Sequence, residues 1–275
     1  MGNIRVIGPR GSGKTTYLAS LAYWPDSQRP GKKKKGLTVK ALNDETRELA
    51  DKAENIILEG ESLEPTRVEG GIDALPFYSL GIEVKTWLQK PELINLAVRD
   101  YPGEIFEELA DPTSINPIHK EFVDECLEET VDGCLILLAD WERKKDKLTS
   151  RALANFAKQL DTHDRINNLR IAVAMSKCER GELWPGRLDP EIDLFRQHLP
   201  KTTAALEEFL PSKSLKFYAI STFGVLGRND PRPNREDVVG TGGMHSVLRE
   251  PDNWKPYGLL EPLYWLSKGR TLSYV

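Results

Sequence analysis

The stretch that decides the fold is "GPRGSGKT" (8–15), which directly follows the apolar run "IRVI" (4–7). Its spacing, Gly-x-x-x-x-Gly-Lys-Thr, is that of a loop that holds phosphate groups. Glycines at such positions let backbone N–H groups converge on a phosphate, because no Cβ atom stands in the way. The residues after Gly13 have a helical pattern, and the positive end of that helix would add to the attraction. The strand before the loop and the helix after it therefore predict a nucleotide-binding α/β domain.

Each side chain of this phosphate loop has a predicted role. Lys14 would reach the β- and γ-phosphates, and the hydroxyl of Thr15 would ligate Mg²⁺. Arg10 lies between two of the glycines, where it would contact the phosphates or a partner, or serve as an arginine finger that is otherwise supplied in trans. A glycine-rich turn with an incidental lysine is the alternative. The predicted phosphate-binding residues are Gly8, Pro9, Arg10, Gly11, Ser12, Gly13, Lys14, Thr15 and Thr16.

Composition narrows the class of protein. The chain has 275 residues and a formal net charge of −4, so it has no overall electrostatic attraction to nucleic acid. No apolar run approaches the length of about 18 residues that a membrane-spanning helix needs, and we expect neither a membrane span nor a signal peptide. Cys126, Cys134 and Cys178 lack C-x-x-C spacing and are predicted to be buried free thiols in a cytoplasmic protein.

Short apolar runs alternate with helical patterns along the chain. Runs that are apolar throughout, such as "GCLILLAD" (133–140) and "LRIAVAMS" (169–176), are typical of parallel strands covered on both faces. The alternation predicts a three-layer α/β fold, in which a mostly parallel six-stranded sheet has helices on both faces. We expect a single domain over 1–275, with a helical insert at about 41–60 and a long irregular segment at about 224–256.

A second motif, "LAVRDYPGE" (96–104), ends one of the predicted strands in an aspartate. The pattern D-x-x-G alone is a common turn. An aspartate at the carboxyl end of a second parallel strand, however, lies beside the phosphate loop and can hold Mg²⁺ through water. The glycine that follows can offer its backbone N–H to the γ-phosphate. Asp100 and Gly103 are the candidates for these two roles.

The two motifs together resemble those of the Ras-like GTPases of the TRAFAC class, P-loop proteins whose D-x-x-G motif is followed by a catalytic glutamine. This chain has Glu104 there instead. A carboxylate repels the γ-phosphate and offers no amide donor to the transition state. Glu104 would act as a base, be displaced from the site or cap the next helix, and we expect slow hydrolysis of GTP to GDP. The resemblance implies that Lys14, Asp100, Gly103 and Glu104 are the catalytic residues.

The same family recognises its base with N-K-x-D after the fifth strand, where the lysine stem covers the purine and the carboxylate pairs with the guanine N1 and N2 protons. "SKCE" (176–179) resembles this pattern, with Ser for Asn and Glu for Asp. Lys177 and Glu179 would keep both functions, so the resemblance implies GTP and GDP as ligands. A solvated loop is the alternative. After the sixth strand the family places an S-A-x segment that contacts the guanine carbonyl, and this chain has Ser221 and Thr222 there.

In Ras-like proteins a loop threonine between the first helix and the D-x-x-G motif ligates Mg²⁺ when the γ-phosphate is present. Thr66 in "SLEPTRVEGG" follows the helical insert and precedes two glycines, and it is the candidate. Thr38 and Thr46 compete with it, the second of them inside the predicted helix. The resemblance thus implies Mg²⁺ as the cofactor, ligated by Thr15, Thr66 and Asp100.

The insert and the ending "WKPYGLLEPLYWL" (254–266) resemble a bacterial group sometimes called double-GTPases. This resemblance implies a nucleotide-dependent switch that acts on protein partners, among them another GTPase encoded nearby. Trp254 and Trp265 would form a partner surface or pack into the core. Two other functions stay open. A P-loop ATPase or small-molecule kinase would leave "SKCE" unexplained, and a pseudo-GTPase scaffold that binds nucleotide without turnover is suggested by Glu104.

Overall fold

A sheet of seven strands, with helices on both faces, forms the centre of the protein. The structure is a computed structural model and describes residues 3–27, 36–60, 74–85, 90–111, 113–114, 116–139, 143–238 and 245–272. The strands of the sheet are β1 (Asn3–Ile7), β2 (Leu37–Ala41), β3 (Phe77–Val84), β4 (Glu92–Arg99), β5 (Val131–Leu138), β6 (Arg170–Met175) and β7 (Leu215–Ala219). Their order in the sheet is β2-β3-β4-β1-β5-β6-β7. The neighbouring strands of the part β4-β1-β5-β6-β7 all pair in parallel. The predicted three-layer, mostly parallel α/β fold is confirmed.

Strand β2 is the one that the sequence did not predict. It is five residues long, forms an edge of the sheet and pairs antiparallel with β3, which itself pairs antiparallel with β4. Its residues alternate between half-buried and exposed positions. Such a short alternating run differs from the continuous apolar runs by which the central strands were recognised. The predicted sheet of six strands therefore lacked its outermost strand.

The helices form the two outer layers. The α-helices of the described residues are α1 (Lys14–Ser27), α2 (Asp44–Glu54), α3 (Gly103–Glu108), α4 (Pro117–Leu127), α5 (Arg143–Thr162), α6 (Arg196–His198), α7 (Pro200–Phe209) and α8 (Glu261–Lys268). The apolar sides of α1, α2 and α8 pack together in one core, and those of α3, α4, α5 and α7 pack in the other. Strands β1, β5 and β6 contribute side chains to both cores, which explains why they are apolar throughout.

The helical insert begins later than predicted. Helix α2 starts at Asp44, and the Asn43 side chain caps it by accepting a backbone N–H of the first turn. A π-helical turn, Asn55–Glu59, continues it until Gly60, which has a φ of 70° and ends the helix as predicted. Leu42 was predicted to lie on the buried side of this helix. It instead lies between β2 and the helix and is 53% exposed, because the helix begins only after the Asn43 cap.

The segment 224–256, predicted to be irregular, is described at 224–238 and 245–256. Its described part contains a small antiparallel hairpin made of β8 (Glu236–Asp237) and β9 (Ser246–Val247). Trp254 and Trp265 are both buried and belong to the core on the α1 side of the sheet. Of the two roles considered for these tryptophans, the structure therefore supports packing in the core.

Two expectations from composition can be compared with the described residues. Cys126, Cys134 and Cys178 are free and buried, as predicted. Burial raises the pKa of the Cys178 thiol, which makes this residue a poor nucleophile. Among the helices that the structure describes, none combines the length and the apolar character needed to cross a bilayer.

Replacing Leu263 by alanine is expected to destabilise the protein strongly. Leu263 of α8 is completely buried in the core that α8 shares with α1 and α2. Leu263→Ala should lower the free energy of unfolding by about 2–5 kcal/mol, because it removes packed methyl groups and leaves a cavity. Urea unfolding measures the change. The control, Leu188→Ala, alters a side chain that is 76% exposed and should cost less than about 0.5 kcal/mol. Equal effects of the two substitutions would contradict the packing of α8.

Candidate functional site

Loops that follow β1, β4, β6 and β7 meet at one edge of the sheet. The Ser176 hydroxyl, after β6, donates to the carbonyl of Ser12 in the phosphate loop (2.7 Å). Gly103, after β4, lies so close to that loop that a Cβ atom on it would be 2.0 Å from a backbone nitrogen. The loops after β6 and β7 are joined by the hydrogen bond from the Cys178 N–H to the Ile220 carbonyl (3.1 Å). The phosphate loop, D-x-x-G and "SKCE" therefore lie together, as the parallel alignment of their strands requires.

The phosphate loop uses its glycines for both conformation and space. Gly8, Gly11 and Gly13 have φ values of +153°, +74° and +86°, a region that other residues rarely adopt. A Cβ atom on Gly8 would lie 2.3 Å from the carbonyl oxygen of Leu137 at the end of β5. One on Gly11 would meet no described atom within 4 Å. Gly8 is thus required by packing as well as by its dihedral angle, whereas Gly11 is required by its dihedral angle alone.

Lys14 is held over the loop by backbone acceptors. Its Nζ donates to the carbonyl oxygens of Gly8 (2.8 Å) and Pro9 (3.3 Å). Burial lowers the pKa of Lys14, while the nearby carboxylates of Asp100 and of helix α3 act in the opposite direction. The ammonium group therefore lies where solvent stabilises it poorly and where an anionic phosphate would stabilise it well.

The side chains of Thr15 and Asp100 form a pair that fits a magnesium ion. The Thr15 hydroxyl lies 3.4 Å from Asp100 Oδ2, and Asp100 is buried. Both side chains offer the hard oxygen ligands that Mg²⁺ prefers. The described residues contain no group of three or more His, Cys, Asp or Glu side chains that could hold a metal ion. A magnesium ion here would accordingly depend on phosphate oxygens and water for most of its ligands, as is usual in nucleotide sites.

The other threonines predicted to lie near the phosphates or the magnesium ion are found in different elements of the fold. Thr16 lies in the first turn of α1. Thr38 lies in the edge strand β2, and Thr46 is buried in α2, where its hydroxyl accepts the backbone N–H of Ser79 (2.7 Å). Thr46 is therefore tied to β3 rather than directed at the phosphate loop. Thr66, the candidate that was preferred, lies outside the described residues and stays a prediction.

Glu104 lies in the first turn of α3, directly after Gly103, and pairs with a residue of the phosphate loop. Its Oε1 is 3.3 Å from Nη1 of Arg10. The two side chains are 55% and 70% exposed, so this ion pair contributes little to stability, at most about 1 kcal/mol. The pair nevertheless joins the two segments that flank the position expected for a γ-phosphate. Arg10 thus has a carboxylate partner at the site.

Lys177 has an unusual backbone conformation and lies beside the phosphate loop. Its φ is +57°, a left-handed conformation that is uncommon for residues other than glycine and that marks a constrained position. The Lys177 Cε lies 3.9 Å from where a Cβ atom of Gly13 would be, so the lysine stem runs beside the phosphate loop. Thr222, after β7, accepts the indole N–H of Trp254 at its carbonyl (2.8 Å). This bond joins the loop after β7 to the irregular segment that contains Trp254.

Glu179 is completely buried, and each of its carboxylate oxygens already accepts a hydrogen bond. The Ser221 hydroxyl donates to Oε2 (2.7 Å), and Nη1 of Arg235 donates to Oε1 (3.4 Å). The Ser221 hydroxyl oxygen also accepts the backbone N–H of Gly224 (2.8 Å), which orients its proton toward Glu179. Two of the predicted base-recognition residues, Glu179 and Ser221, are thus in direct contact with each other.

Arg235 is the site residue that sequence reasoning missed. It lies in the irregular segment and belongs to no motif. Its side chain is only 9% exposed, which is rare for an arginine that is not paired. The contact with Glu179 spans 56 residues of the chain. No local pattern in the sequence indicates such a contact.

The comparisons with known proteins were made at the level of sequence and of structure. No family model matches the chain, and no curated protein matches it. Among solved structures, the chain is similar to the S. cerevisiae Ski7 GTPase-like domain bound to GTP, with 15% identity and a TM-score of 0.43 over 83% of this chain and 44% of that one. It is also similar to Sup35 complexed with GDP (12% identity, TM-score 0.34, 88% of this chain and 40% of that one). The complex of Sup35 with GMPPNP is a further match (11%, 0.39, 99% and 45%).

The chain spans less than half the length of the matched chain in each of these three structures. Similarity at such identities and TM-scores does not by itself assign a function. The arrangement of the site residues carries the functional argument instead.

Two glycines of the phosphate loop should respond differently to replacement by alanine. Gly8→Ala adds a clash with the Leu137 carbonyl to an unfavourable φ, whereas Gly11→Ala has the unfavourable φ alone. We expect Gly11→Ala to cost about 1 kcal/mol and Gly8→Ala at least about 2–3 kcal/mol of unfolding free energy. Urea unfolding of both variants measures the difference. A smaller loss for Gly8→Ala would show that the loop does not pack against β5 in this way.

Proposed function

We propose that this protein is a guanine-nucleotide-binding switch that uses Mg²⁺ and hydrolyses GTP to GDP slowly. The observation that carries the proposal is that Lys14, the pair of Thr15 and Asp100, and Lys177 all lie around one phosphate loop. They come from three separate parts of the chain, so the resemblance of each motif is supported by its position in space. Catalysis is assigned to Lys14, Asp100, Gly103 and Glu104.

On the phosphate side, the proposal rests on donors that are already in place. The backbone N–H groups of the glycine-rich loop and the first turn of α1 would hold the β-phosphate. Lys14 would exchange its carbonyl acceptors for β- and γ-phosphate oxygens, whose negative charge would stabilise the ammonium group in its buried position. The N–H of Gly103 would contact the γ-phosphate, which explains why Gly103 must approach the loop so closely.

Magnesium would be held by the Thr15 hydroxyl and by Asp100, the latter through water, with Thr66 as a third proposed ligand. When bound, the ion supplies positive charge that offsets the charge of the β- and γ-phosphates. The residues of the chain have the task of orientation. Asp100 keeps the Thr15 hydroxyl at the mouth of the phosphate loop, and its burial limits the positions that its carboxylate can adopt.

On the base side, Lys177 would cover one face of the purine and the Glu179 carboxylate would accept the N1 and N2 protons of guanine. The left-handed turn at Lys177 and the contact of its stem with Gly13 support the first role. The anchoring of Glu179 by Ser221 supports the second, because a fixed carboxylate discriminates between bases better than a mobile one. The backbone N–H of Thr222 would contact the guanine carbonyl, because the predicted donor at Ser221 already donates to the Tyr257 carbonyl (2.9 Å).

Glu104 is the reason for proposing slow turnover. Glu104 occupies the position at which the Ras-like GTPases have a glutamine. Its carboxylate pairs with Arg10, and its negative charge would face the γ-phosphate. Hydrolysis requires water to attack the γ-phosphorus while the bond to the bridging oxygen breaks and GDP leaves. A carboxylate raises the energy of that charged transition state unless Arg10 compensates it. A scaffold that binds nucleotide without turnover is the second candidate, and the carboxylate at Glu104 favours it.

We further propose that the nucleotide state is communicated to protein partners in the cytoplasm, another GTPase encoded nearby among them. This part of the proposal follows from the resemblance to the bacterial double-GTPases. A pull-down that compares the GDP-loaded and GTP-loaded forms of the protein would test it. Equal capture of every partner by both forms would contradict it.

The base assignment predicts that Glu179→Ala removes the preference for guanine. Loss of two charge-assisted hydrogen bonds should weaken GTP binding by about 10- to 100-fold and leave ATP binding nearly unchanged. Isothermal titration with GTP and ATP measures both affinities and also separates the proposal from a P-loop ATPase. The matched control is Glu182→Ala, which removes an exposed carboxylate three residues away. Retention of the GTP preference in Glu179→Ala would refute the assignment.

The rate assignment predicts that Glu104→Gln accelerates hydrolysis. The change removes a negative charge and adds an amide donor, and we expect the rate of γ-phosphate release to rise by about tenfold or more. Single-turnover release of phosphate from GTP measures it. Glu107→Gln, a change of the same charge three residues along α3, is the control and should have a much smaller effect. A fall in rate would instead identify Glu104 as a base, and release no faster than in buffer would favour the scaffold.

A further inference from the structure

We infer that Arg235 competes with the nucleotide base for the Glu179 carboxylate, so that the base can enter only when Arg235 leaves. This inference rests on the proposed function, because it assumes that Glu179 recognises guanine. It adds a means of regulation at the base side of the site. A Ras-like switch responds to the γ-phosphate, whereas this element would respond to the presence of any guanine nucleotide.

The first step is the occupancy of Glu179. Its side chain has no solvent-exposed surface, and its two oxygens accept hydrogen bonds from Ser221 and Arg235. A guanine ring offers two neighbouring N–H donors and must reach the carboxylate to use them. Because Glu179 has no exposed surface and both of its oxygens accept hydrogen bonds, a donor that is now present has to be displaced first.

The second step identifies Arg235 as the donor that leaves. The bond from Ser221 is short (2.7 Å), and Ser221 is fixed by the N–H of Gly224 and by its backbone pairing with Tyr257. The bond from Arg235 is long (3.4 Å). Arg235 also has a second carboxylate partner, since its Nε and Nη2 donate to Asp237 Oδ1 (3.1 and 2.9 Å).

Because Arg235 also pairs with Asp237, its exchange with guanine at Glu179 leaves no charge without a partner. When Arg235 leaves Glu179, its charge stays paired with Asp237, whose side chain is 57% exposed, so no charge is left buried and alone. The guanine protons take its place at Glu179. An arginine with Glu179 as its only partner would become an unpaired charge when it left. The base would then displace it less easily.

The third step is the movement that the exchange imposes. Arg235 leads directly into β8, which pairs with β9. The hairpin packs on the end of the helical insert, where a Cβ atom on Gly60 would lie 2.6 Å from Val238 and 2.9 Å from Val247. Displacement of Arg235 therefore acts on the hairpin, and through it on the turn that ends the insert.

A buried residue next to Arg235 limits how far this movement extends toward the core. Asn234 is completely buried, and its backbone N–H donates to the carbonyl of Gly224 (3.0 Å). Its side chain donates to the carbonyl of Glu250 (3.0 Å) and accepts the N–H of the same residue (2.7 Å). Asn234 would therefore keep its position while Arg235 and the hairpin move.

The test compares two arginines of the same segment. Arg235→Ala should bind GDP and GTP about tenfold more tightly than the wild type, because the base no longer has a competitor. The two affinities should rise by the same factor, since Arg235 lies on the base side. The control is Arg232→Ala, which breaks an exposed ion pair with Asp230 and should change neither affinity by more than about twofold. Isothermal titration measures all of these values.

Hydrogen exchange of the wild-type protein provides a test that needs no substitution. Saturating GDP should increase the exchange of the backbone amides at 235–238, among them Val238, whose N–H now donates to His245 (3.0 Å). Unchanged or slower exchange in this hairpin, although GDP binds, would overturn the inference. Weaker or unchanged nucleotide binding by a folded Arg235→Ala would also overturn it.

These outcomes are separable from a failure of the proposed function. If Glu179→Ala loses the preference for GTP while Arg235→Ala does not bind more tightly, the competition is wrong and the base assignment stands. If Glu179→Ala keeps the preference for GTP, the base assignment is wrong, and the inference that depends on it falls with it. Tighter binding by Arg235→Ala together with loss of preference in Glu179→Ala supports both.

Discussion

The phosphate loop lies between two neighbours that leave no room for a side chain, and the rest of the site depends on this constraint. On one side, Gly8 approaches the Leu137 carbonyl so closely that a Cβ atom would be 2.3 Å from the oxygen. On the other side, a Cβ atom on Gly103 would lie 2.0 Å from the backbone nitrogen of Arg10. The loop is thereby clamped between the end of β5 and the start of α3. Lys14 and Thr15 directly follow this loop, so its position also determines theirs.

Charge is distributed around this clamped loop in an order that suits a triphosphate. Lys14 donates to carbonyl oxygens of the loop, and burial lowers its pKa. Asp100 stands beside Thr15 at the mouth of the loop. Arg10 and Glu104 form the exposed outer pair, where solvent weakens their attraction. Binding of phosphates would therefore be dominated by the buried part of the site, and the outer pair would influence turnover more than affinity.

The phosphate half and the base half of the proposed site differ in the groups that fix their conformation. In the phosphate half, the side chains of Lys14, Thr15 and Asp100 surround a loop whose backbone conformation depends on glycines. Side chains form the base half, where Glu179 is held by Ser221 and Arg235. A network of side chains can be altered by any segment that supplies or withdraws a donor. The proposed competition of Arg235 for Glu179 depends on this property of the side-chain network.

The sequence by itself determined the phosphate loop, the central strands and the order of the motifs. These features are local, because the glycine spacing, the strand before it and the helix after it are contiguous in the chain. It did not indicate β2, since a short, half-exposed edge strand has no continuous apolar run. It also placed Leu42 on a helix that begins only after Asn43, because hydrophobic periodicity does not locate a capping residue by itself.

Only the tertiary structure decided what surrounds Glu179. The sequence predicted that this carboxylate would face a base, and Ser221 was named for a separate contact with that base. The fold joins the two and adds Arg235, which is 56 residues from Glu179 in the chain. Such a contact depends on where an irregular segment returns to the sheet, which is set by the burial of Asn234 and Trp254 and not by any periodic pattern. Local chemistry can be read from neighbours in the chain, whereas a buried ion pair between distant residues exists only once the chain has folded.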